Sequence, residues 1–215
     1  MSEIPTITVT GHGSVSVPPD KAVISFEVAF DSRDYEQAVS EVNTHIKRLR
    51  EGLREAGIDP DQLKTLQFAV AARHTTRKVG EEHKQVFVGW NACQRLRLEL
   101  GVEGKLLVRA LAAIARCGGE SSLGLSFEVS DRQGLQARVL AEATRAACLN
   151  ARTIAEASGC KLGRPLKIKY GWSQMSFQSP AMYDRQALMI CDSAPDVQPS
   201  DVEASDSVTI LFALE

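Results

Sequence analysis

The sequence lacks the features that would direct it to a membrane, to nucleic acid or to a disulfide framework. It has no apolar run of about 18 residues, which a membrane-spanning helix needs, so we expect no membrane insertion. The formal net charge is -2, without the basic excess that contacts with phosphate backbones need, so nucleic acid is not an expected partner. The opening MSEIPT lacks the basic and apolar regions of a secretory signal. This predicts a cytoplasmic location, or a periplasmic one if a leader has been removed.

The cysteines form an odd set of five without a CxxC pair: Cys93, Cys117, Cys148, Cys160 and Cys191. This pattern predicts reduced thiols rather than disulfides or a zinc site. We expect Cys117 and Cys148 to lie in the core, because unpaired cysteine is among the most buried residue types. Cys191 lies in an irregular segment and is the expected exposed thiol, but no resolving cysteine stands near it in sequence to support a redox role.

Two alternating segments open the chain and predict two neighbouring strands joined by a short turn at Pro18-Pro19-Asp20. The first segment has Gly11 and Gly13 in its alternation, where glycine relieves crowding or permits a bulge. The apolar residues that alternate are Ile7, Val9, Val15 and Val17 in the first segment and Ile24, Phe26, Val28 and Phe30 in the second.

Three amphipathic helices are predicted. The first has Asp34 as its N-cap with Gln37 as capping-box partner, and it ends at Gly57 with Ile58 folded back in a Schellman-type contact. The second spans residues 106–114 and is closed by two glycines. The third, rich in alanine, runs from near Asp131 to about Ser158, and its predicted inward residues are Leu135, Val139, Ala143, Ala146 and Ile154.

The remaining alternations predict a long hairpin and three further strands. Residues 66–72 and 86–100 alternate on either side of a polar stretch, residues 73–85, which we interpret as a charged hairpin tip. Further strands are predicted at residues 123–129, 166–172 and 208–214. Between the last two, residues 173–206 show no period and predict a long loop, which in a compact domain is usually functional or disordered.

Paired strands that alternate with one-sided helices predict an α+β fold of two layers, with about three helices over one face of a largely antiparallel sheet. We expect residues 1–215 to form one domain, with a division into two lobes at about 1–100 and 101–215 as the alternative.

Several segments resemble the SIMPL-domain family, whose bacterial members include oxidative-stress defence proteins and a periplasmic immunogenic protein. The resemblance rests on ITVTGHGSVSVPPDKAVISFEV, on LGLSFEVSDRQGLQARVLAEATRAACLNARTIAEASGCKLGRPLKI, and on the closing DVEASDSVTILFALE. It implies a fold of paired strands and helices and no established catalytic mechanism or cofactor. It also implies export and homo-oligomeric assembly for bacterial members, and an adaptor role for an animal member.

Candidate interface residues lie in the predicted loop and in the hairpin. Large or adaptable apolar groups are enriched in the cores of protein interfaces, although those in the loop could equally fold over the sheet. The hairpin adds two histidines that, with Glu81 and Glu82, have metal-ligand chemistry but not metal-ligand spacing, so a solvated charged loop is favoured. The candidates are Trp172, Met175, Phe177, Met182, Tyr183, Met189, His74 and His83.

No catalytic, cofactor-binding or metal-binding residues are predicted. Gly11-His12-Gly13 lies inside a predicted strand that another strand follows, whereas a dinucleotide-binding loop leads from a strand into a helix. The sequence has no Gly-x-Ser-x-Gly nucleophile motif. We therefore expect a non-enzymatic assembly protein, with a role in stress response as a hypothesis. The alternatives are a small-ligand binder or weak enzyme with a pocket between helices and sheet, and an adaptor that binds a partner by strand addition.

Overall fold

The computed structural model describes residues 5–79, 82–116, 123–171, 183–184 and 199–215. The elements, in chain order, are β1 (Thr6–Val17), β2 (Lys21–Ser32), α1 (Tyr35–Glu55), a 3-10 turn (Pro60–Gln62), β3 (Leu63–Val79), β4 (Glu82–Gly101), α2 (Gly104–Arg116), β5 (Leu123–Glu128), α3 (Arg132–Ala157), β6 (Leu162–Lys169), β7 (Tyr183–Asp184) and β8 (Val202–Leu214).

The elements divide between two compact units that alternate along the chain. The first unit contains β1, α3, β6 and β8, and the second contains β2, α1, β3, β4, α2, β5 and β7. The first unit packs α3 on its sheet, and the second packs α1 and α2 on its own. The strand ladders from β1 to β8, β2 to β4, β3 to β4 and β6 to β8 are all antiparallel. The predicted two-layer α+β class is confirmed. Whether both units form one domain stays a prediction.

In the first unit, β1 pairs with β8 at the other end of the chain. The three-stranded sheet has the order β1-β8-β6, and its β1 register runs from Thr6 opposite Ala213 to Val17 opposite Val202. The prediction that β1 and β2 are neighbours is therefore wrong, since β2 belongs to the sheet of the second unit. The residues between β1 and β2 explain why the two strands do not form a hairpin. Tight hairpin turns need residues with positive φ, which Pro18 and Pro19 cannot adopt.

β8 begins at Val202, inside the segment predicted to be a loop. Val202 and Ala204 are buried, but the next inward position is Asp206, which interrupts the apolar alternation. The Tyr170 hydroxyl donates a hydrogen bond of 3.0 Å to Asp206 Oδ2, so this inward carboxylate has a partner. Because Asp206 breaks the apolar alternation, the sequence predicts only residues 208–214 as a strand and misses the first half of β8.

α3 packs closely against β1 and β8. Its buried residues recur at every fourth position, and most are alanine: Leu135, Val139, Ala143, Ala147, Ala151 and Ala155. A β-carbon at Gly11 would lie 2.1 Å from the Ala143 carbonyl oxygen, and one at Gly13 would lie 2.3 Å from the Val139 carbonyl oxygen. The two glycines therefore allow the helix backbone to approach the strand.

Three residues of α3 lie elsewhere than predicted. Ile154 is 49% exposed, and Cys148 is exposed rather than part of the core. Ala147, not Ala146, occupies the fully buried position. Because alanine lies on both sides of this helix, its apolar pattern does not single out one face.

In the second unit, the sheet has the order β3-β4-β2-β5-β7 and its core includes residues of α1 and α2. Asp34 caps α1 as predicted, with Oδ1 accepting from the Gln37 N–H at 2.9 Å. The predicted capping box closes through Ser32, whose Oγ accepts from the Asp34 N–H and donates to Gln37 Oε1. The Schellman ending is confirmed, since Gly57 has φ +79° and the Ile58 N–H donates to the Leu53 carbonyl at 2.9 Å.

The hairpin of β3 and β4 is confirmed, but its strands extend through most of the predicted tip. β3 continues to Val79 and β4 starts at Glu82, so most of the polar stretch 73–85 forms a ladder. Polar side chains are compatible with this ladder because a two-stranded ribbon exposes both of its faces to solvent.

None of the helices that the structure describes is long and apolar enough to span a membrane.

Candidate interaction site: the hairpin arm

The outer part of the hairpin pairs with no third strand that the structure describes. β2 ends at Ser32, which lies opposite Trp90 of β4. Beyond this pair, β3 and β4 continue together from Arg73 opposite Gly89 to Val79 opposite Glu82. We call residues 73–79 and 82–89 the arm. A two-stranded ribbon is only marginally stable by itself, so the arm gains from contacts with other surfaces.

A bulge lies at the base of the arm. The register shifts by one residue between Arg73, opposite Gly89, and His74, opposite Phe87, which leaves Val88 without an opposing residue. Gly89 has φ +147°, and a β-carbon there would lie 2.5 Å from the Ser32 carbonyl oxygen. The bulge therefore depends on glycine, and bulges of this kind bend and twist the strand that carries them.

An aromatic row runs from the N-terminus of α1 onto the arm. Tyr35 meets Trp90 edge to face at a centroid distance of 5.5 Å, and Trp90 meets Phe87 at 5.6 Å. Phe87 in turn meets His74 across the ladder at 5.8 Å. Edge-to-face contacts at these distances are favourable, so the rings hold one another in place. The row is nevertheless open to solvent, since Tyr35 and Phe87 are each 48% exposed.

Exposed apolar side chains continue along the same strand. Val86, Phe87 and Val88 are consecutive and are 38%, 48% and 37% exposed. At the base of the arm, Arg73 pairs with Asp31, which also accepts from Asn91 Nδ2 at 2.7 Å. Successive side chains of a strand point to opposite faces, so the arm exposes apolar groups on both of its faces. Exposed apolar groups of this kind mark protein–protein contact surfaces. The arm is therefore the strongest candidate interaction site among the described residues.

Two of the eight candidate interface residues from the sequence lie on the arm. His74 stands in the aromatic row, and His83 is an exposed residue opposite Lys78. Tyr183 is described only by its backbone, which pairs with Leu125 of β5. The other five lie outside the described residues: Trp172, Met175, Phe177, Met182 and Met189.

Sequence reasoning missed Tyr35, Phe87 and Trp90 as parts of one surface. A signal was available, because Phe87 is out of phase with the alternation of Val86, Val88 and Trp90. A large apolar residue on the wrong parity of a strand indicates a bulge. The partner of Phe87 across the ladder could not be read from that signal.

A second group of polar residues lies on the sheet face opposite α1. Arg95 Nε donates to Glu27 Oε2 at 2.9 Å across β2 and β4. The hydrogen bonds from Arg95 and from the Cys93 thiol lower the pKa of Glu27. Burial, and then the hydrogen bond to Glu27, raise the pKa of Cys93. Cys93 is therefore kept as a thiol near neutral pH, which does not favour nucleophilic or redox chemistry.

An open cavity of about 380 Å³ adjoins this group. Glu27 and Arg95 line it together with apolar Leu66 and Leu123. Its charged groups already neutralise each other, so it offers no free charge to orient a ligand. No group of three or more potential metal ligands occurs among the described residues.

The other cysteines do not form a common site in the described structure. Cys148 is exposed on α3, and Cys160 is partly buried just after that helix. Cys117 and Cys191 lie outside the described residues. The expected core position of Cys117 and the exposed thiol of Cys191 thus stay predictions.

Residues 7–212 match the sequence model of the SIMPL family, described as a protein of unknown function (DUF541). The chain is 25% identical over 170 residues to the 26 kDa periplasmic immunogenic proteins of Brucella melitensis and Brucella abortus. That match covers 75% of this chain and 65% of each relative, so the chain spans about two thirds of their length. It is also 25% identical over 168 residues to the uncharacterized protein YggE of Edwardsiella ictaluri, covering 78% of this chain and 69% of the relative.

Proposed function

This chain belongs to the SIMPL family, whose description gives no function, and we propose that it is a non-enzymatic assembly protein that self-associates through the arm. The carrying observation is the exposed apolar run of Val86, Phe87 and Val88 on a ribbon without a third strand in the described structure. Burying these side chains against a second copy removes apolar area from water and steadies the ribbon. Each copy presents the same surface, as closed symmetric assembly requires.

The absence of catalysis belongs to the same proposal. Two of the polar groups that come together, Glu27 with Arg95 and Asp31 with Arg73, are partnered ion pairs rather than a nucleophile held by a base. The raised pKa of Cys93 supports the same reading. Both observations support a structural role for these residues.

The test is the absolute mass in solution, measured by size-exclusion chromatography with light scattering over a range of concentrations. We expect a multimer for the unaltered chain and a smaller species for Phe87→Ser, because the largest apolar group of the arm is lost. Leu149→Ser is the matched control, since Leu149 is 63% exposed but lies on α3 of the other unit. Circular dichroism must show that both variants are folded. A monomer at all concentrations, or an unchanged mass for folded Phe87→Ser, would contradict the proposal.

The proposal includes a second contact, made by Trp172 and Phe177, which lie outside the described residues. The double variant Trp172→Ala/Phe177→Ala should shift the assembly toward smaller species without unfolding it, since large apolar groups dominate interface cores. If the mass stays the same, these residues have no part in the assembly.

We also propose a periplasmic location, which replaces the cytoplasmic expectation as the favoured one. It is supported by the names of the two Brucella relatives, which are called periplasmic. Fractionation of cells that express the chromosomal gene tests this proposal, and recovery of the protein with cytoplasmic markers would overturn it. A role in stress response stays a prediction.

A further inference from the structure

β3 is an unusually long strand with a partner on one side only among the described strands. It contains 17 residues and stands at the end of the five-stranded sheet, next to β4. Strands in globular proteins are usually about 5 or 6 residues long. The outer edge of β3 therefore presents a long row of backbone donors and acceptors that can pair with another strand.

The middle of this edge lacks the devices that normally prevent pairing. From Gln67 to Ala72 it has no charged residue and no proline, and Phe68 is 47% exposed. Charges, prolines and bulges are the usual protection of sheet edges. Here a register shift between Thr65 and Gln67, and the charged Arg73, flank the unprotected stretch on its two sides. They bound six residues, 67–72, in which nothing opposes pairing.

Two of the other strands at sheet ends, β6 and β1, differ from β3. β6 carries Arg164, Lys167 and Lys169 as well as Pro165, so two copies of it would repel each other. β1 also has no charged residue, but none of its large apolar side chains is exposed. Only β3 combines an uncharged edge with an exposed large apolar side chain among these three.

We infer that the edge of β3 from Gln67 to Ala72 pairs antiparallel with the same edge of a second copy, about a two-fold axis at Val70. This inference rests on the proposed self-assembly and specifies its partner and geometry. With the axis at Val70, Phe68 lies opposite Ala72, Gln67 opposite Arg73, and Ala69 opposite Ala71. Large residues then face small ones, and no like charges meet. Two copies of one strand that are related by a two-fold axis perpendicular to the sheet always run antiparallel, as this pairing requires.

The test uses two variants that charge the same two positions. Ala69 and Ala71 are exposed and lie on the face away from the core, so substitutions there should spare the fold. Ala69→Lys/Ala71→Lys places like charges opposite each other across the axis, and directly opposed like charges destabilise sheet pairing. Ala69→Lys/Ala71→Glu places opposite charges there instead. We expect the first variant to form a smaller species and the second to keep the mass of the unaltered chain.

Controls on the other sheet ends are Ile168→Lys in β6 and Thr8→Lys in β1, both at exposed positions. Both should keep the mass of the unaltered protein. If the unaltered chain is a multimer and neither Ala69/Ala71 double variant changes it, the β3 pairing is wrong while the proposed assembly stands. Loss of mass in both double variants would overturn the pairing about Val70. A monomeric unaltered chain would overturn both proposals.

Hydrogen exchange provides a measurement that needs no substitution. In the paired state, the outward amides between residues 67 and 72 should exchange slowly, and they should lose protection when dilution dissociates the assembly. Fast exchange of these amides in an intact multimer would overturn the inference. If only a different protein partner protects them, β3 is an adaptor edge and the pairing with a second copy is wrong.

Discussion

Gly13 of β1 lies so close to Ala143 of α3 that a β-carbon on the glycine would stand 2.5 Å from the Ala143 amide nitrogen. Ala143 itself is completely buried. Two residues without bulk thus set the separation of helix and strand in the first unit. At Gly11 as at Gly13, the nearest atoms of α3 belong to its backbone. No movement of a side chain can therefore make room for a larger residue at either position.

Gly13→Ala should lower the free energy of unfolding by about 3 kcal/mol, the upper end of the usual cost of overpacking, because α3 must move away from β1. Urea denaturation followed by circular dichroism measures this change. Gly104→Ala is the control, since nothing lies within 4 Å of the added β-carbon at the start of α2. We expect that variant to be neutral or slightly stabilised. Equal stabilities of the two variants would show that the close approach is not a constraint.

Arg132→Leu should lower the free energy of unfolding by about 1 to 2 kcal/mol, because the carboxylate that loses this partner is buried while the guanidinium is half exposed. Glu128 is only 2% exposed and is paired with Arg132 four residues later. Arg145→Leu is the control on the same helix, where the pair with Glu142 is exposed on both sides. That change should cost about 0.5 kcal/mol or less. Thermal and urea unfolding of both variants measure the two losses in free energy of unfolding. Similar losses would show that the pair of Glu128 and Arg132 stabilises the fold no more than the exposed pair does.

The pH dependence of stability should include a contribution from Glu27. Hydrogen bonds from Arg95 and Cys93 hold the pKa of Glu27 below its ordinary value of 4.5. Because the folded-state pKa is the lower one, this contribution is present above the unfolded-state pKa and is lost as the pH falls through 4.5 toward the folded-state pKa. Glu99 acts in the same direction, because Lys21 and Arg97 lower its pKa.

Glu27→Gln should therefore be less stable than the unaltered chain near neutral pH and should lose less stability on acidification. Urea midpoints from about pH 7 to about pH 3 measure the effect. Exposed Glu103→Gln is the control and should follow the unaltered chain. Parallel curves for all three proteins would show that the Arg95 and Cys93 contacts do not tune Glu27.

The described thiols should differ in their rates of alkylation. Cys148 is exposed, whereas burial raises the pKa of Cys93 and so reduces its reactive thiolate. With iodoacetamide at about pH 8, Cys148 should be labelled at least about tenfold faster than Cys93. Mass spectrometry of peptides gives both rates, and the difference should vanish in concentrated guanidinium. Faster labelling of Cys93 in the folded protein would contradict the burial and hydrogen bonding described for it.

Much of the local structure could be predicted from the sequence. Asp34 and Asp131 cap helices through their own side chains, and Gly57 and Gly159 end helices with positive φ. These features depend on residues a few positions apart, so they are visible in the sequence itself. The strand parity of β1 and the family resemblance could be read in the same way.

The candidate site could be predicted only in part. The sequence places His74 and His83 within the hairpin, but it does not reveal the row that joins His74 to Phe87, Trp90 and Tyr35. These rings meet across a bulged ladder and at the start of α1, and their contacts depend on the register. Sequence spacing carries no information on that register once a bulge shifts it.

The helices, their ends and the strand alternations follow from local sequence, because caps and periodic burial act over a few residues. The tertiary structure decided that β1 pairs with β8 rather than β2, that Ile154 and Cys148 face solvent, and that β3 stands at a sheet end. The apolar alternation of a strand shows which of its faces is buried. It does not show which other strand lies beside it, because the alternation is the same whichever strand that is. Only the packed chain selects among partners, since a ladder between distant strands forms where backbone pairing and burial are satisfied together.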